Sequence, residues 1–161
     1  MAEVMEKDPL DLNDAGYETE DTQKDKFLTF FLADEDYGIA IHHVIEIIGI
    51  QKITEVPDMP NFVKGVINLR GKVIPVLDVR ARFRLPSQAY DERTCIIVVN
   101  VDEQSTGLIV DRVCEVADIP SENVESAPGS GKGQVDSYIM GLGKVGDRVK
   151  ILLDARRLLA I

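Results

Sequence analysis

The chain has 161 residues and a formal net charge of −10, a length that fits one domain or two small lobes in close contact. The negative charge argues against partners such as nucleic acid or an anionic membrane surface, because both would repel the chain. The two cysteines lie in apolar runs and no apolar run is long enough to span a membrane, so the composition predicts a cytoplasmic protein with reduced thiols.

The N-terminal segment, residues 1–25, carries nine Asp or Glu residues against two Lys. Its large apolar side chains are sparse and show no period, so the segment cannot bury enough surface to offset the entropy cost of ordering. The pattern predicts a flexible acidic leader. A tail that binds a partner is the less favoured alternative.

From residue 26 onward the sequence favours a mainly β fold. Residues 27–32 and 96–101 are apolar on both faces of a strand, which is typical of strands buried on two sides. Between and after them, short β-branched runs alternate with turns rich in Gly, Pro and Asp. This arrangement favours small barrels over one open sheet.

Residues 60–78 predict a β-hairpin. Two apolar, β-branched runs flank the turn, where Gly71 can adopt a positive φ without steric cost. The tip would present the guanidinium of Arg70 and the amide of Asn68 to solvent. Neither group is a nucleophile or a proton shuttle at neutral pH, so the tip indicates recognition rather than catalysis.

Two short helices are also expected. Apolar spacing fits a helix over 41–47, although a bent strand fits nearly as well. A last helical turn or two is predicted over 155–159, with Asp154 placed to cap it. Residues 126–136 are rich in Gly, Ser and Pro and predict a loop.

The chain also contains an internal repeat. Residues 38–47 resemble 107–116 at an offset of 69, and Gly65 and residues 73–80 recur as Gly141 and residues 149–156 at an offset of 76. Such a long period indicates a duplication, which predicts lobe 1 at about 26–90 and lobe 2 at about 91–161. Because lobes this small would be marginally stable alone, we expect an apolar layer between them. The hairpin tips of the two copies differ, which suggests two different partners.

Four segments together resemble the CheW family of bacterial chemotaxis coupling proteins. The resemblance extends over residues 26–161 and is carried by GVINLRG at 65–71, IPVLDVR at 74–80, DRVCEV at 111–116 and YIMGLG at 138–143. It implies two SH3-like, five-stranded β-barrels related by the duplication, with no catalytic activity and no cofactor or metal. It also implies two partners, the cytoplasmic hairpin tip of chemoreceptors and the regulatory domain of the CheA histidine kinase.

The resemblance further implies which residues lie at each contact. The receptor-binding residues would be Val44, Glu46, Asn68, Arg70 and Val113. The kinase-binding residues would be Val116, Gly141 and Leu142. Simpler interpretations remain open for several of them: the valines could belong to the core, Gly141 could be a close-packing glycine, and Glu46 could form a surface ion pair with a nearby Arg.

The sequence offers little support for other chemistry. His42 and His43 are adjacent, so on a strand they would point to opposite sides, and no third metal ligand stands at a suitable spacing. Residues 34–36 are interpreted as a charged turn rather than a calcium loop. Residues 129–133 lack the residues that a phosphate-binding loop requires.

Three other functions compete with that of a coupling protein. A CheW-like module of another two-component signalling pathway is the first alternative. A carboxylate-dependent hydrolase is less favoured, because it needs two acids at a fixed separation in a cleft and the acids here lie mostly in turns and the leader. A barrel that binds small ligands or single-stranded nucleic acid is the least favoured, since the chain has no Trp and an acidic balance.

Overall fold

The structure of the protein is a computed structural model, which describes residues 23–126 and 138–160. The predicted leader as far as residue 22 and residues 127–137, which include all but the first residue of the predicted loop at 126–136, lie outside the described residues. Within the described part, the strands are β1 (Lys26–Leu32), β2 (Glu35–Ala40), β3 (Val44–Gly49), β4 (Val63–Leu69), β5 (Lys72–Asp78), β6 (Cys95–Val101), β7 (Gln104–Val110), β8 (Arg112–Asp118), β9 (Val124–Glu125), β10 (Ile139–Val145) and β11 (Arg148–Leu153).

The helical elements with defined bounds in the same part of the chain are short. Helix α1 spans Val79–Arg82 and helix α2 spans Ala155–Leu159, and single 3-10 turns lie at Ile41–His43 and Ser121–Asn123. None of these helices is long and apolar enough to cross a membrane. The prediction of a mainly β fold with few short helices is therefore confirmed.

The strands form two sheets of matching topology. One has the order β3-β6-β7-β5-β4, and the other has the order β8-β1-β2-β11-β10-β9. Each contains one parallel pair, β5 with β7 and β2 with β11, whereas the remaining pairs are antiparallel. The two orders correspond strand for strand under the internal repeat, with β9 added at one edge. Neither hydrogen-bonded sheet closes completely into a barrel.

The two copies of the repeat exchange strands. β1 and β2 belong to the first copy but pair with β8 and β11, and β6 and β7 belong to the second copy but pair with β3 and β5. Each sheet therefore contains strands from both sides of the predicted boundary at 90/91. The predicted lobes at 26–90 and 91–161 do not describe the sheets, because the exchange is a long-range pairing that the offsets of a repeat do not reveal.

The core consists of three apolar clusters. Two of them each belong to one sheet. The first surrounds Ile96 of the five-stranded sheet, and the second surrounds Ile119 beside the six-stranded sheet. The largest draws on both sheets and includes Phe30 and Leu153 from one sheet with Val99 and Leu108 from the other. β6 alternates between clusters and is buried on both faces. The expected apolar layer is therefore present, but it lies between the two sheets and is supplied in part by this two-faced strand.

Several local predictions have clear outcomes. The helix at Ala155–Leu159 is confirmed, and the Asp154 carboxylate caps it by accepting a hydrogen bond from the backbone N–H of Arg157 at 3.2 Å. The alternatives at 41–47 resolve to a 3-10 turn over Ile41–His43 followed by β3. The placement of His42 and His43 on opposite sides of a strand is wrong, because the 3-10 turn brings their ring centroids to 4.1 Å.

The interpretation of residues 34–36 as a charged turn also needs correction. Asp36 lies in β2 and is only 4% exposed. Its carboxylate accepts hydrogen bonds from Arg148 Nε at 2.8 Å and Lys150 Nζ at 3.2 Å, both on the neighbouring β11. Lys150 is equally buried. The carboxylate is tolerated in the interior because two cations from the adjacent strand neutralise it.

Candidate functional site

The tip of the β4–β5 hairpin is held in one conformation by its own residues. Arg70 and Gly71 have φ values of 54° and 84°, as a two-residue type I′ turn requires. The side-chain Oδ1 of Asn68 accepts a hydrogen bond from the backbone N–H of Gly71 at 2.8 Å. The predicted hairpin is confirmed, and the side chain of Asn68 stabilises its turn through this hydrogen bond.

A bidentate ion pair joins this tip to β3. The guanidinium of Arg70 donates to both carboxylate oxygens of Glu46, with Nη2 at 2.7 Å from Oε1. The hydrogen bonds lower the pKa of the Glu46 carboxyl and raise that of Arg70, so both groups are charged at neutral pH. The Arg70 side chain is still 71% exposed. A positioned guanidinium therefore faces solvent.

The ion pair connects opposite edges of the five-stranded sheet. β3 and β4 are its two edge strands, and the segment that follows β3 approaches β4 through a bridge between Thr54 and Val66. The curl of the sheet brings the edges together, so that Glu46 meets Arg70 although 24 residues separate them in the chain. The surface around Glu46 and Arg70 therefore forms only when the two edge strands meet in the folded chain.

Exposed apolar side chains lie on the same strands. Ile45 and Ile47 of β3 are 51% and 43% exposed, and Val73, which pairs with Asn68 across the hairpin, is 64% exposed. Ile45 and Ile47 flank Glu46 along β3, where successive side chains point to opposite faces, so they form an exposed apolar surface on the other face of that strand. None of the three was among the predicted site residues, and for Ile45 and Ile47 the uncertain prediction over 41–47 hid their exposure.

The repeat places similar groups on the other sheet. Val116 of β8 corresponds to Ile47 at the offset of 69 and is 51% exposed, and Val149 of β11 corresponds to Val73 at the offset of 76 and is 50% exposed. The correspondence is a signal that sequence comparison of the two copies could have found. Each sheet thus presents an apolar surface at equivalent positions, and only one carries the Glu46–Arg70 pair.

The other predicted receptor residues lie partly in the core. Val44 on β3 and Val113 on β8 are both half-buried and pack against the cluster shared by the two sheets. They occupy equivalent positions in the two copies. The structure therefore brings Glu46, Asn68 and Arg70 together at one hairpin, whereas Val113 lies on the other sheet.

The three predicted kinase residues all belong to the six-stranded sheet. Val116 lies on β8 at one edge, and Gly141 and Leu142 lie on β10, which is separated from β8 by three strands. Gly141 is buried, and a Cβ added there would lie 2.7 Å from Val124 Cγ1. Val116 is the exposed member of the group, and Gly141 permits the close approach of β9.

The buried carboxylates in the described part of the chain serve the fold. Asp36 binds Arg148 and Lys150. Asp78 caps helix α1 through the backbone N–H of Ala81 and accepts a hydrogen bond from the Tyr90 hydroxyl at 2.7 Å. A paired-carboxylate hydrolase needs acids whose oxygens are available to a substrate. The geometry of these two carboxylates does not favour that alternative.

Comparison with known proteins agrees with this architecture. The family model described as CheW-like domain matches residues 26–161. The chemotaxis protein CheW of Klebsiella aerogenes is 39% identical over 140 residues, covering 87% of this chain and 84% of that protein. The chemotaxis protein CheW of Helicobacter pylori is 32% identical over 146 residues, covering 90% of this chain and 88% of that protein.

A solved structure is similar as well. The crystal structure of the scaffolding protein TtCheW from Thermoanaerobacter tengcongensis superposes with a TM-score of 0.78 at 35% sequence identity, covering 85% of this chain and 88% of that one. The agreement extends over both sheets, since residues from 26 onward are matched by the family model. From its sequence, its paired sheets and these relatives, the chain belongs to the CheW-like family.

Proposed function

We propose that this chain, a chemotaxis coupling scaffold, bridges the cytoplasmic hairpin tip of chemoreceptors to the regulatory domain of a CheA-type histidine kinase. It works in the cytoplasm and performs no catalysis of its own. The receptor binds on the side of Glu46, Asn68 and Arg70, with Val44 on the same sheet and Val113 on the opposing side. The kinase binds the six-stranded sheet near Val116, Gly141 and Leu142.

The Glu46–Arg70 ion pair is the main observation in support of the proposed receptor-binding site. An exposed arginine ordinarily samples many rotamers, and ordering it on binding costs free energy. Here two hydrogen bonds to Glu46 hold the guanidinium in advance, while its side chain remains 71% exposed. Arg70 also occupies a left-handed backbone conformation that non-glycine residues rarely adopt. The type I′ turn imposes this conformation, so the backbone of the tip is fixed as well as the side chain.

The difference between the two sheets supports two different partners. Both sheets present exposed valines at equivalent positions, Val73 and Val149. Arg70 in the first copy is replaced by Gly146 in the second, so the second tip lacks the guanidinium. Two similar apolar surfaces with different charged groups would bind related but distinct proteins.

The test is binding to each partner separately and to both together. The full-length chain would be titrated with a receptor cytoplasmic fragment, with a CheA-type regulatory domain, and with the mixture. We expect Arg70→Ala to weaken receptor binding about tenfold, since a positioned Arg is a frequent hot spot, and to leave kinase binding unchanged. Arg93→Ala removes the same charge from an exposed position elsewhere and serves as the matched control.

A charge swap separates recognition from support of the hairpin. Glu46→Arg combined with Arg70→Glu keeps an ion pair but reverses the exposed charge. We expect receptor binding to stay weak and the melting temperature to stay within a few degrees of the parent chain. Full receptor binding by Arg70→Ala, or loss of binding by Arg93→Ala to the same extent, would contradict the assignment.

A further inference from the structure

A cavity of about 550 Å³ beside helix α1 is lined mainly by positively charged side chains. Its walls include four cations, Lys64, Arg80, Arg82 and Arg84, and one acid, Asp78. A cavity of this size falls in the range of ligand-binding sites. Its charge is opposite to that of the chain, whose net charge is −10. We call it the basic cleft.

Three of the four cations have no carboxylate partner in residues 23–126 and 138–160. Arg80 is neutralised by Asp111, with Nη2 2.7 Å from Oδ2. Arg82 donates only to backbone carbonyls, those of Leu158 and Ala160. Lys64 and Arg84 are exposed and form no ion pair in that part of the chain. The single acid cannot compensate them, because Asp78 already caps α1 and binds Tyr90.

The cleft is also organised in advance. The guanidinium of Arg82 lies 4.0 Å from the ring centroid of Phe62 and 4.9 Å from that of Tyr138, so two aromatic rings hold it in place. Its carbonyl acceptors fix it further. A guanidinium held by rings and dipoles remains available to an anion, and cation–π contacts do not neutralise its charge. The cleft therefore fits a ligand that carries several carboxylates.

We propose that the occupant is the acidic N-terminal segment of this same chain, residues 1–22. That segment carries eight Asp or Glu residues and one Lys, which accounts for most of the net negative charge of the protein. A chain of 22 residues can extend over about 70 Å, farther than the roughly 40 Å diameter expected for a domain of this size. Length therefore permits contact, and complementary charge selects the basic cleft.

Occupation by a tethered segment would be weak but frequent. Each exposed ion pair contributes little, and salt weakens it. The tether compensates, because a short linker gives an effective concentration on the order of millimolar. The segment would therefore compete with any added acidic peptide. The affinity for an added peptide therefore reports whether the segment occupies the cleft.

The experiment uses full-length chains and a synthetic peptide of residues 1–22 as the probe. One chain is the parent, and the other, the amide variant, has its eight leader acids replaced by Asn or Gln. Peptide binding is followed by calorimetry at low and at moderate salt. We expect the amide variant to bind the peptide about tenfold more tightly than the parent does, because its own segment no longer competes. The difference should shrink as salt is added.

Charge-neutralising variants locate the site. In the amide variant, Lys64→Gln with Arg84→Asn should weaken peptide binding about fivefold to tenfold. Asn suits position 84, where φ is 61°. Lys52→Gln with Lys72→Gln removes the same charge at exposed positions outside the cleft and should leave binding unchanged. Equal peptide affinity in the parent and the amide variant, no binding by either, or equal losses in the two double variants would each overturn the proposal.

Discussion

The buried pair of Asp36 and Lys150 allows a quantitative test of the fold. Their side chains are 4% and 5% exposed, and the carboxylate Oδ2 lies 3.2 Å from Nζ. Asp36→Ala would leave the ammonium of Lys150 in the interior without a counter-ion. Breaking a buried pair in this way costs about 3–5 kcal/mol in the free energy of unfolding. For a chain of this length, that corresponds to a fall of about 10 °C in melting temperature.

Two further variants distinguish loss of the partner from loss of the side chain. Combining Asp36→Ala with Lys150→Met removes both charges, and we expect it to recover all but about 1–2 kcal/mol. Glu35→Ala, at the exposed neighbouring position, should change stability by less than about 0.5 kcal/mol. Arg148 can remain solvated in every variant, because its side chain is 59% exposed.

The assay is equilibrium unfolding in urea followed by circular dichroism. Comparable slopes of free energy against urea would show that the variants unfold from similarly compact states, so that differences in midpoint report stability. A loss below about 1 kcal/mol for Asp36→Ala, or a double variant as unstable as the single one, would refute the reasoning that the unpaired Lys150 is the source of the cost.

Three other changes test local features. Gly65→Ala should cost about 3 kcal/mol in urea unfolding, because a Cβ there would lie 2.1 Å from the carbonyl oxygen of Thr54 and the backbone would have to shift. Gly141→Ala should cost less, since Val124 can adjust its side chain; an equal or larger loss would contradict this. Burial lowers the pKa of His43 below its usual value, so the unfolded chain binds the proton more readily and stability should decline as pH falls below about 6.5. His43→Gln should flatten that decline in urea midpoints measured from pH 7 to pH 5, and an unchanged slope would count against it.

Features that depend on near neighbours in the chain follow from the sequence. The β4–β5 hairpin is set by the positive φ available to Gly71, and the cap of α2 by Asp154. Burial of β1 and β6 on two faces follows from apolar residues at both alternating sets of positions along each strand. Turn chemistry and side-chain period act over a few residues, so a single sequence is enough to predict them.

Local sequence patterns predicted only part of the candidate site. Arg70 and Asn68 were predicted from the hairpin alone, and the structure places them at its tip. The contact between Arg70 and Glu46 was only one possibility, because two edges of a curled sheet must meet to form it. The exposure of Ile47 was not foreseen, since periodicity could not separate a short helix from a bent strand there.

A duplicated β protein with two-faced strands and a recognition hairpin can be predicted from the order of amino acids, because these properties arise from local conformational preference and from comparison of the two copies. Which copy supplies each strand, why Asp36 is buried and which cations line the basic cleft become known from the folded chain. Pairing of distant strand edges and neutralisation of buried charge depend on groups that are far apart in the chain, and many sequences with the same period could satisfy them differently.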